Sequence, residues 1–248
     1  MKKILCILCL SLIFCSVGLS QVAKQEAKQE TKQANFDGET VGAEAKSFVS
    51  LVGVWHIDKD ENNIVYAVDG RNWTKGVSTG IVEKTKSLYG DKYAEFLDNL
   101  EAYKYYPLSV FKGYGNFDSG EIIVSFKGIS GRIDQGAGIA FNIKQNGDYL
   151  AIRANCLENN MVLWKLEKGK RSSVQWIRDT PTPANTWHKL RVVIDGKNIK
   201  GYLDDKKYID YDWSENIDGK IGLWSKADSY MFFDDFKATP AQKPADKK

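Results

Sequence analysis

Cysteine is scarce, and its placement excludes a disulfide framework. Cys6, Cys9 and Cys15 fall at the very start of the chain and Cys156 stands alone in its body, so a domain freed of its leader can close no internal bridge. Histidine is scarcer still: His56 and His188 are the only two, which leaves no Cys/His set of zinc-binding spacing. No Gly-rich phosphate loop occurs. Neither sign of charge dominates. Lys+Arg 35 against Asp+Glu 32 gives a net charge of +3, falling to +1 once Lys2 and Lys3 leave with the leader, and this excludes field-driven binding to nucleic acid or anionic lipid. The single long apolar run, residues 4–14, is shorter than the about 20 residues a membrane span needs.

What is present is a globular composition, 43% hydrophobic and 12% aromatic, enough apolar side chain for one sizeable domain. Lys2 and Lys3 ahead of the apolar run, with Gly18 and Ser20 before Gln21, read as a secretory signal peptide over residues 1–20. Export to a periplasm or the extracellular space follows, with no transmembrane anchor after cleavage. Lipoprotein anchoring through Cys15 is the alternative, disfavoured by the bulky Phe14 where a small residue is wanted. Residues 21–46 are polar with Lys-Gln-Glu near-repeats and read as a flexible linker. Residues 239–248, rich in Lys, Pro and Ala, read as a disordered tail. The domain is thus expected over 47–238, which holds all seven tryptophans.

Within it, short runs at 121–127, 137–144, 149–156, 161–167, 173–178, 188–195, 199–204 and 220–225 are separated by Asn146-Gly147, Lys168-Gly169, Asp195-Gly196 and Asp218-Gly219. Strands at this spacing with hairpin dipeptides predict an all-β, two-sheet antiparallel sandwich. Alternation sets the faces: Ile122, Val124 and Phe126, Ile139, Phe141 and Ile143, Leu150, Ile152 and Ala154, and Leu190, Val192 and Ile194 point inward. Cys156 shares the inward phase and reads as a buried structural thiol. Residues 79–103 break the pattern: Thr79 can cap one short helix that Gly90 ends, and Asp91 a second carrying Phe96, Leu97 and Leu100. This helical insertion either covers a sheet edge or forms a lid, and Tyr103, Tyr105 and Tyr106 suit both roles. Trp55, Trp176, Trp187 and Trp213 read as packing residues, and His188 as a buried, satisfied histidine.

The segment 48–57, the stretch Trp187-His-Lys-Leu-Arg-Val-Val-Ile-Asp-Gly with Tyr202-Leu-Asp-Asp after it, the run Gly219-Lys-Ile-Gly-Leu-Trp-Ser and the ending Phe233-Asp-Asp-Phe resemble concanavalin A-like lectin/glucanase domains. They look most like the laminin G-like and 3-keto-disaccharide hydrolase branch. The resemblance spans the domain except the insertion and implies a jelly roll whose concave sheet face carries a carbohydrate site. Glucanase members bear a Glu-x-Asp-x-Glu type strand. Here Arg132-Ile-Asp-Gln-Gly-Ala-Gly holds one carboxylate and Glu121-Ile-Ile-Val none at that spacing, whereas retaining hydrolysis needs two about 5 Å apart. The ordinary single-strand endoglucanase motif is therefore not expected, and a carboxylate pair assembled from distant strands stays open.

If Leu150, Ile152 and Ala154 face inward, Tyr149, Arg153 and Asn155 share the other face, with Asn142 on the preceding strand beside them. Either Trp164 or Lys165 joins them, and Trp224 and Lys226 alternate against inward Leu223. Arg132, Asp134 and Gln135 sit in a Gly-bounded segment at a strand end, and Glu158 in a polar turn. Arg132 and Asp134 can equally be a local ion pair fixing a turn. Rings that stack on sugar C–H faces, mixed with bidentate donors and acceptors, suit a saccharide or glycoconjugate. The leading expectation is an exported saccharide-binding domain using Arg132, Gln135, Asn142, Tyr149, Arg153, Asn155, Trp164, Lys165, Trp224 and Lys226. The alternatives are an enzyme of the 3-keto-disaccharide hydrolase type, with Asp134 or Glu158 as base and Arg153 or Lys226 as stabiliser, and a surface protein-interaction domain. No cofactor is required; calcium at Asp234 and Asp235 is a further candidate, although no spacing motif supplies its 6–8 oxygens. Oligomeric state is not legible.

Overall fold

The computed structural model describes residues 30–71, 80–100 and 105–242. The expected leader, Thr79, Tyr103, and residues 21–29 and 243–248 lie outside them. The strands are β1 (Lys32–Ala34), β2 (Phe48–Val52), β3 (Trp55–Asp60), β4 (Asn63–Asp69), β5 (Leu108–Phe111), β6 (Gly120–Ser130), β7 (Gly136–Ile143) and β8 (Tyr149–Asn155). They continue with β9 (Asn160–Glu167), β10 (Lys170–Arg178), β11 (Trp187–Asp195), β12 (Asn198–Leu203), β13 (Lys206–Asp212), β14 (Lys220–Ser225) and β15 (Tyr230–Pro240). One sheet runs β13-β12-β11-β6-β15-β4-β3, with β1 beside the later half of β15; the other runs β10-β9-β8-β7-β14-β5-β2. All pairings are antiparallel, and the expected jelly-roll sandwich is what forms.

Alternation places the faces as the sequence pattern requires. Ile122, Val124, Phe126, Ile139, Phe141, Leu150, Ile152, Leu190 and Val192 all pack in the core between the sheets. Ile143 is the exception among the inward set: β7 carries one extra residue between Ala140 and Ile143, where Asn142 takes φ 53°, and this turns Ile143 to the outer cluster of the seven-stranded sheet. Cys156 lies in the core, and burial pushes its thiol up to about 11. His188 is buried, with Nδ1 2.7 Å from Asp204 and Nε2 3.0 Å from the Pro183 carbonyl.

Three boundaries differ from expectation. Residues 48–57 are two strands rather than one: Gly53, at φ 84°, breaks the run, so β2 joins the seven-stranded sheet and β3 the other. Residues 31–46 are not a flexible linker. β1 pairs with β15, and Phe36 buries its ring 5.2 Å from Tyr66 and 6.0 Å from Phe48, beneath a sequence too polar to signal it. The tail likewise begins later than 239, since Thr239 and Pro240 pair with Glu121 and Gly120.

The insertion forms α1 (Ile81–Tyr89) and α2 (Tyr93–Leu100), joined through a turn at Gly90 that φ 58° makes suitable for glycine. Phe96, 1% exposed, packs with Val49 and Leu51 of the edge strand β2, and Lys84 reaches Ser50 and Glu44. The helices therefore pack against the outer face of the seven-stranded sheet, in the cluster that also holds Leu108, Ala140, Ala151 and Trp224, rather than along an unpaired strand margin. No helix among the described residues is long and apolar enough to cross a membrane.

Candidate functional site

The outer face of the seven-stranded sheet carries the polar and aromatic residues. Backbone register sets Trp176, Val162, Arg153, Gly138, Trp224 and Leu108 in one row from β10 to β5, and Arg178, Asn160, Asn155 and Gly136 in the next. Trp164, not Lys165, takes the outward position on β9. Glycines on β7 make room: a Cβ at Gly136 would lie 3.0 Å from the Arg153 Cδ and 2.9 Å from an Asp134 oxygen.

Around Arg153 the charges converge. Both of its Nη groups point at one Glu158 oxygen at 3.4 Å, and Nη1 lies 3.9 Å from Asp134. Asn155 Nδ2 donates to Asp134 at 2.6 Å and Lys226 Nζ to its other oxygen. Asn160 Nδ2 donates to Glu158 at 2.8 Å. Asp134 and Asn155 are fully buried and Arg153 is 1% exposed, whereas the Glu158 and Lys226 side chains keep 38% and 21% of their surface in solvent. Burial lifts the Asp134 carboxyl above the usual range despite Arg153 and Lys226. For Glu158 burial acts the same way, but Asn160, Arg153 and Lys226 outweigh it and hold the carboxyl below its ordinary value.

Above this cluster the rings close in. Tyr106, just after the insertion, stacks on Trp224 with centroids 5.8 Å apart and receives the Arg171 guanidinium at 4.8 Å from the other margin of the sheet. Arg171 also lies 4.1 Å from the Trp164 ring, and Arg153 5.9 Å from it. Trp164 meets Trp176 edge-on at 5.4 Å. Trp224 is fully buried and its indole N–H donates to the Tyr149 hydroxyl at 3.0 Å. Several buried polar atoms here have no hydrogen-bond partner among the described residues: Arg153 Nε, Asn160 Oδ1, Trp164 Nε1 and Arg171 Nη1.

The expected binding set thus divides. Asp134, Arg153, Asn155, Glu158, Trp164, Trp224 and Lys226 come together. Asn142, Tyr149 and Lys165 instead line a separate cleft of about 750 Å³ with Tyr89, Trp213 and Lys220. Lys165 pairs there with Glu167, and Asn142 accepts the Asp218 N–H. Gln135 turns away from the site: its amide oxygen lies near Gly128 of the opposite sheet, and Nε2 donates to the Gly131 carbonyl. Arg132 is exposed and forms no pair with Asp134, whose charged partners are Lys226 and Arg153.

Three contributors escaped sequence reasoning. Trp176 was expected to pack inside, but it is 43% exposed on the outer face. A bulge between Ser173 and Gln175 inserts one residue and reverses its phase. Arg171 carried no local signal, and its meeting with Tyr106, one of the aromatics expected to serve the insertion as cover or lid, depends on distant strands of one sheet. Asp228 accepts the backbone N–H groups of Arg132, Ile133 and Asp134 and so fixes the loop that presents Asp134.

Asp234 and Asp235 do not present a joint carboxylate set. Asp234 accepts from the Asn63 amide at 2.7 Å and from the Asp235 N–H, while Asp235 approaches Ser125 at 3.4 Å. Among the described residues no three His, Cys, Asp or Glu side chains gather in a way that would hold a metal ion.

No protein-family model and no curated protein matches the sequence. Among solved structures the fold is similar to a carbohydrate binding module, CBM66 from Bacillus subtilis, at 15% identity and a TM-score of 0.55, covering 78% of this chain and 96% of that one. It is similar to a Bacillus licheniformis beta-glucanase at 12% identity and TM-score 0.51, covering 86% and 99%. A mixed linkage glucan GH16 protein from Bacteroides ovatus, in complex with a product, matches at 9% identity and TM-score 0.51, covering 84% and 99%. Likeness at such identities is one of fold: the chain has the concanavalin A-like jelly roll that its sequence resembles.

Proposed function

We propose that this protein binds a saccharide on the outer face of its seven-stranded sheet, around Arg153, Glu158, Asn160 and Lys226, with Trp176 as the exposed stacking ring. The observation that carries the reading is the gathering of partnerless buried polar atoms, Arg153 Nε, Asn160 Oδ1, Trp164 Nε1 and Arg171 Nη1, beside that ring. Folded proteins satisfy nearly all such groups, so a concentration of unsatisfied ones marks a place where a ligand or ordered water completes the bonding. Hydroxyl-rich sugars supply the donors and acceptors, and their C–H faces suit tryptophan. Solved structures of the same fold whose names carry carbohydrate binding and glucanase support the reading by analogy of fold alone. Export by residues 1–20 belongs to the same proposal.

The test is a glycan-array screen of the full chain, followed by titration of any glycan found. Trp176→Ala and Glu158→Gln are each expected to weaken binding about tenfold or more. Unchanged affinity in both variants would reject this location.

A second reading rests on Glu158, whose part-exposed carboxylate lies 3.4 Å from the Arg153 guanidinium. That pair has the elements of a base and an anion stabiliser for eliminative cleavage of a 3-keto-glycoside. Asp134 is the weaker base candidate because it is fully buried with both oxygens engaged. Product analysis with 3-keto-glycosides decides: turnover lost in Glu158→Gln supports catalysis, and no product from the unaltered chain removes it.

A further inference from the structure

We infer that the saccharide is acidic, its anionic group received by the Arg171 and Arg153 guanidinium groups; this rests on the saccharide reading above. Three cations, Arg153, Arg171 and Lys226, meet two carboxylates, Asp134 and Glu158. One positive charge is left over, and it belongs to Arg171. Its guanidinium is held between the Trp164 and Tyr106 rings at 4.1 and 4.8 Å, and its Nη1 is buried without a partner. Aromatic faces attract a cation without neutralising it.

Arg153 points to the same conclusion independently. It is 1% exposed, its Nε has no partner, and its two Nη groups share a single Glu158 oxygen at 3.4 Å, longer than a normal N–H···O bond. Burial foremost, with the Arg171 charge among the lesser causes, depresses its proton affinity. Both guanidinium groups lie against the same indole, so an anion placed there would offset their mutual repulsion. A guanidinium fork matches carboxylate or sulfate oxygens in a way that a neutral hydroxyl does not.

The experiment titrates the full chain with an oligogalacturonate, with the same oligosaccharide after carboxyl reduction, and with a sulfated oligosaccharide. The charged forms are expected to bind about ten- to a hundredfold tighter than the neutral one. Arg171→Gln should abolish that preference, the ratio of charged to neutral affinity falling to about one, whereas Arg171→Lys, which keeps the charge, should retain part of it. Whichever charged form binds more tightly identifies the group as carboxylate or sulfate. Equal binding of charged and neutral forms, or a preference that survives Arg171→Gln, overturns the acidic inference and leaves the saccharide reading standing. Binding to no sugar at all overturns both.

Discussion

The carboxylate of Asp228 holds the backbone N–H of Asp134 at 2.9 Å, and the same group receives the N–H groups of Arg132 at 2.7 Å and Ile133 at 3.0 Å. Asp134 in turn binds Lys226 and Asn155. Two short loops are thereby locked together, and the buried end of the charge cluster is fixed before any ligand arrives.

Asp228→Asn should therefore loosen this loop and cost about 1–2 kcal/mol in denaturant unfolding, a modest figure because the group is only partly buried. Burial tends to raise the Asp228 carboxyl, but the Ile133, Arg132 and Asp134 N–H groups hold it below its ordinary value. A carboxyl depressed in the folded state contributes stability above its unfolded pKa, near 3.9, and loses it as pH falls through the lower folded value. Acid titrations should show a shallower loss of stability below about pH 4 in Asp228→Asn than in the unaltered chain.

Trp224→Ala is expected to destabilise by about 3–5 kcal/mol, as for a large buried ring, because Trp224 is fully buried and bonded to Tyr149. Arg153→Ala should also destabilise, since it empties a fully buried position and leaves Lys226 as the one charged partner of the buried Asp134 carboxylate. Loss of binding in either variant would thus report unfolding as much as contact, and Trp176→Ala is the cleaner probe. Equilibrium unfolding curves distinguish the cases: a Trp224→Ala midpoint equal to that of the parent would contradict the packing described.

Tyr106→Ala should uncover Trp224 without unfolding the sandwich. The ring stacks on Trp224 and touches Arg171, so its removal opens the roof between the two margins of the sheet. Solvent exchange of the Trp224 indole proton, followed by NMR, is expected to accelerate. No change would mean that Tyr106 does not shield it.

Gly53→Ala is expected to cost about 2 kcal/mol. The residue has φ 84°, and an added Cβ would stand 2.7 Å from the Pro107 Cβ. Thermal melts read the shift, and an unchanged midpoint would show that the crossing between sheets tolerates a side chain.

Cys156 should resist alkylation at pH 8 in the folded chain and react promptly in denaturant. Its thiol is buried and pushed up to about 11, so almost no thiolate exists at that pH. Labelling followed by mass spectrometry checks this.

The alternation of Leu150, Ile152 and Ala154 against Tyr149, Arg153 and Asn155 was enough to state both faces of β8, because side-chain direction along a strand is a local property. The missing two-carboxylate motif was equally plain. The hairpin after β12 was hidden: Asp204 and Asp205 take φ 48° and 64°, a turn usually made with glycine, so β13 carried no turn signal. Trp176 was misplaced for a related reason, since a bulge reverses phase without leaving a mark in the hydrophobic pattern.

The sequence by itself determined the sandwich, the inward and outward sets of most strands and the inert core cysteine, all of which follow from the period of two and from composition. Only the tertiary structure decided that Phe36 belongs to the core, that Asn142, Tyr149 and Lys165 line a different cleft from Arg153, and that Tyr106 meets Arg171. Those outcomes depend on sheet order and on strands distant in the chain lying side by side. Local periodicity sets where a side chain points, whereas long-range pairing sets what it finds there.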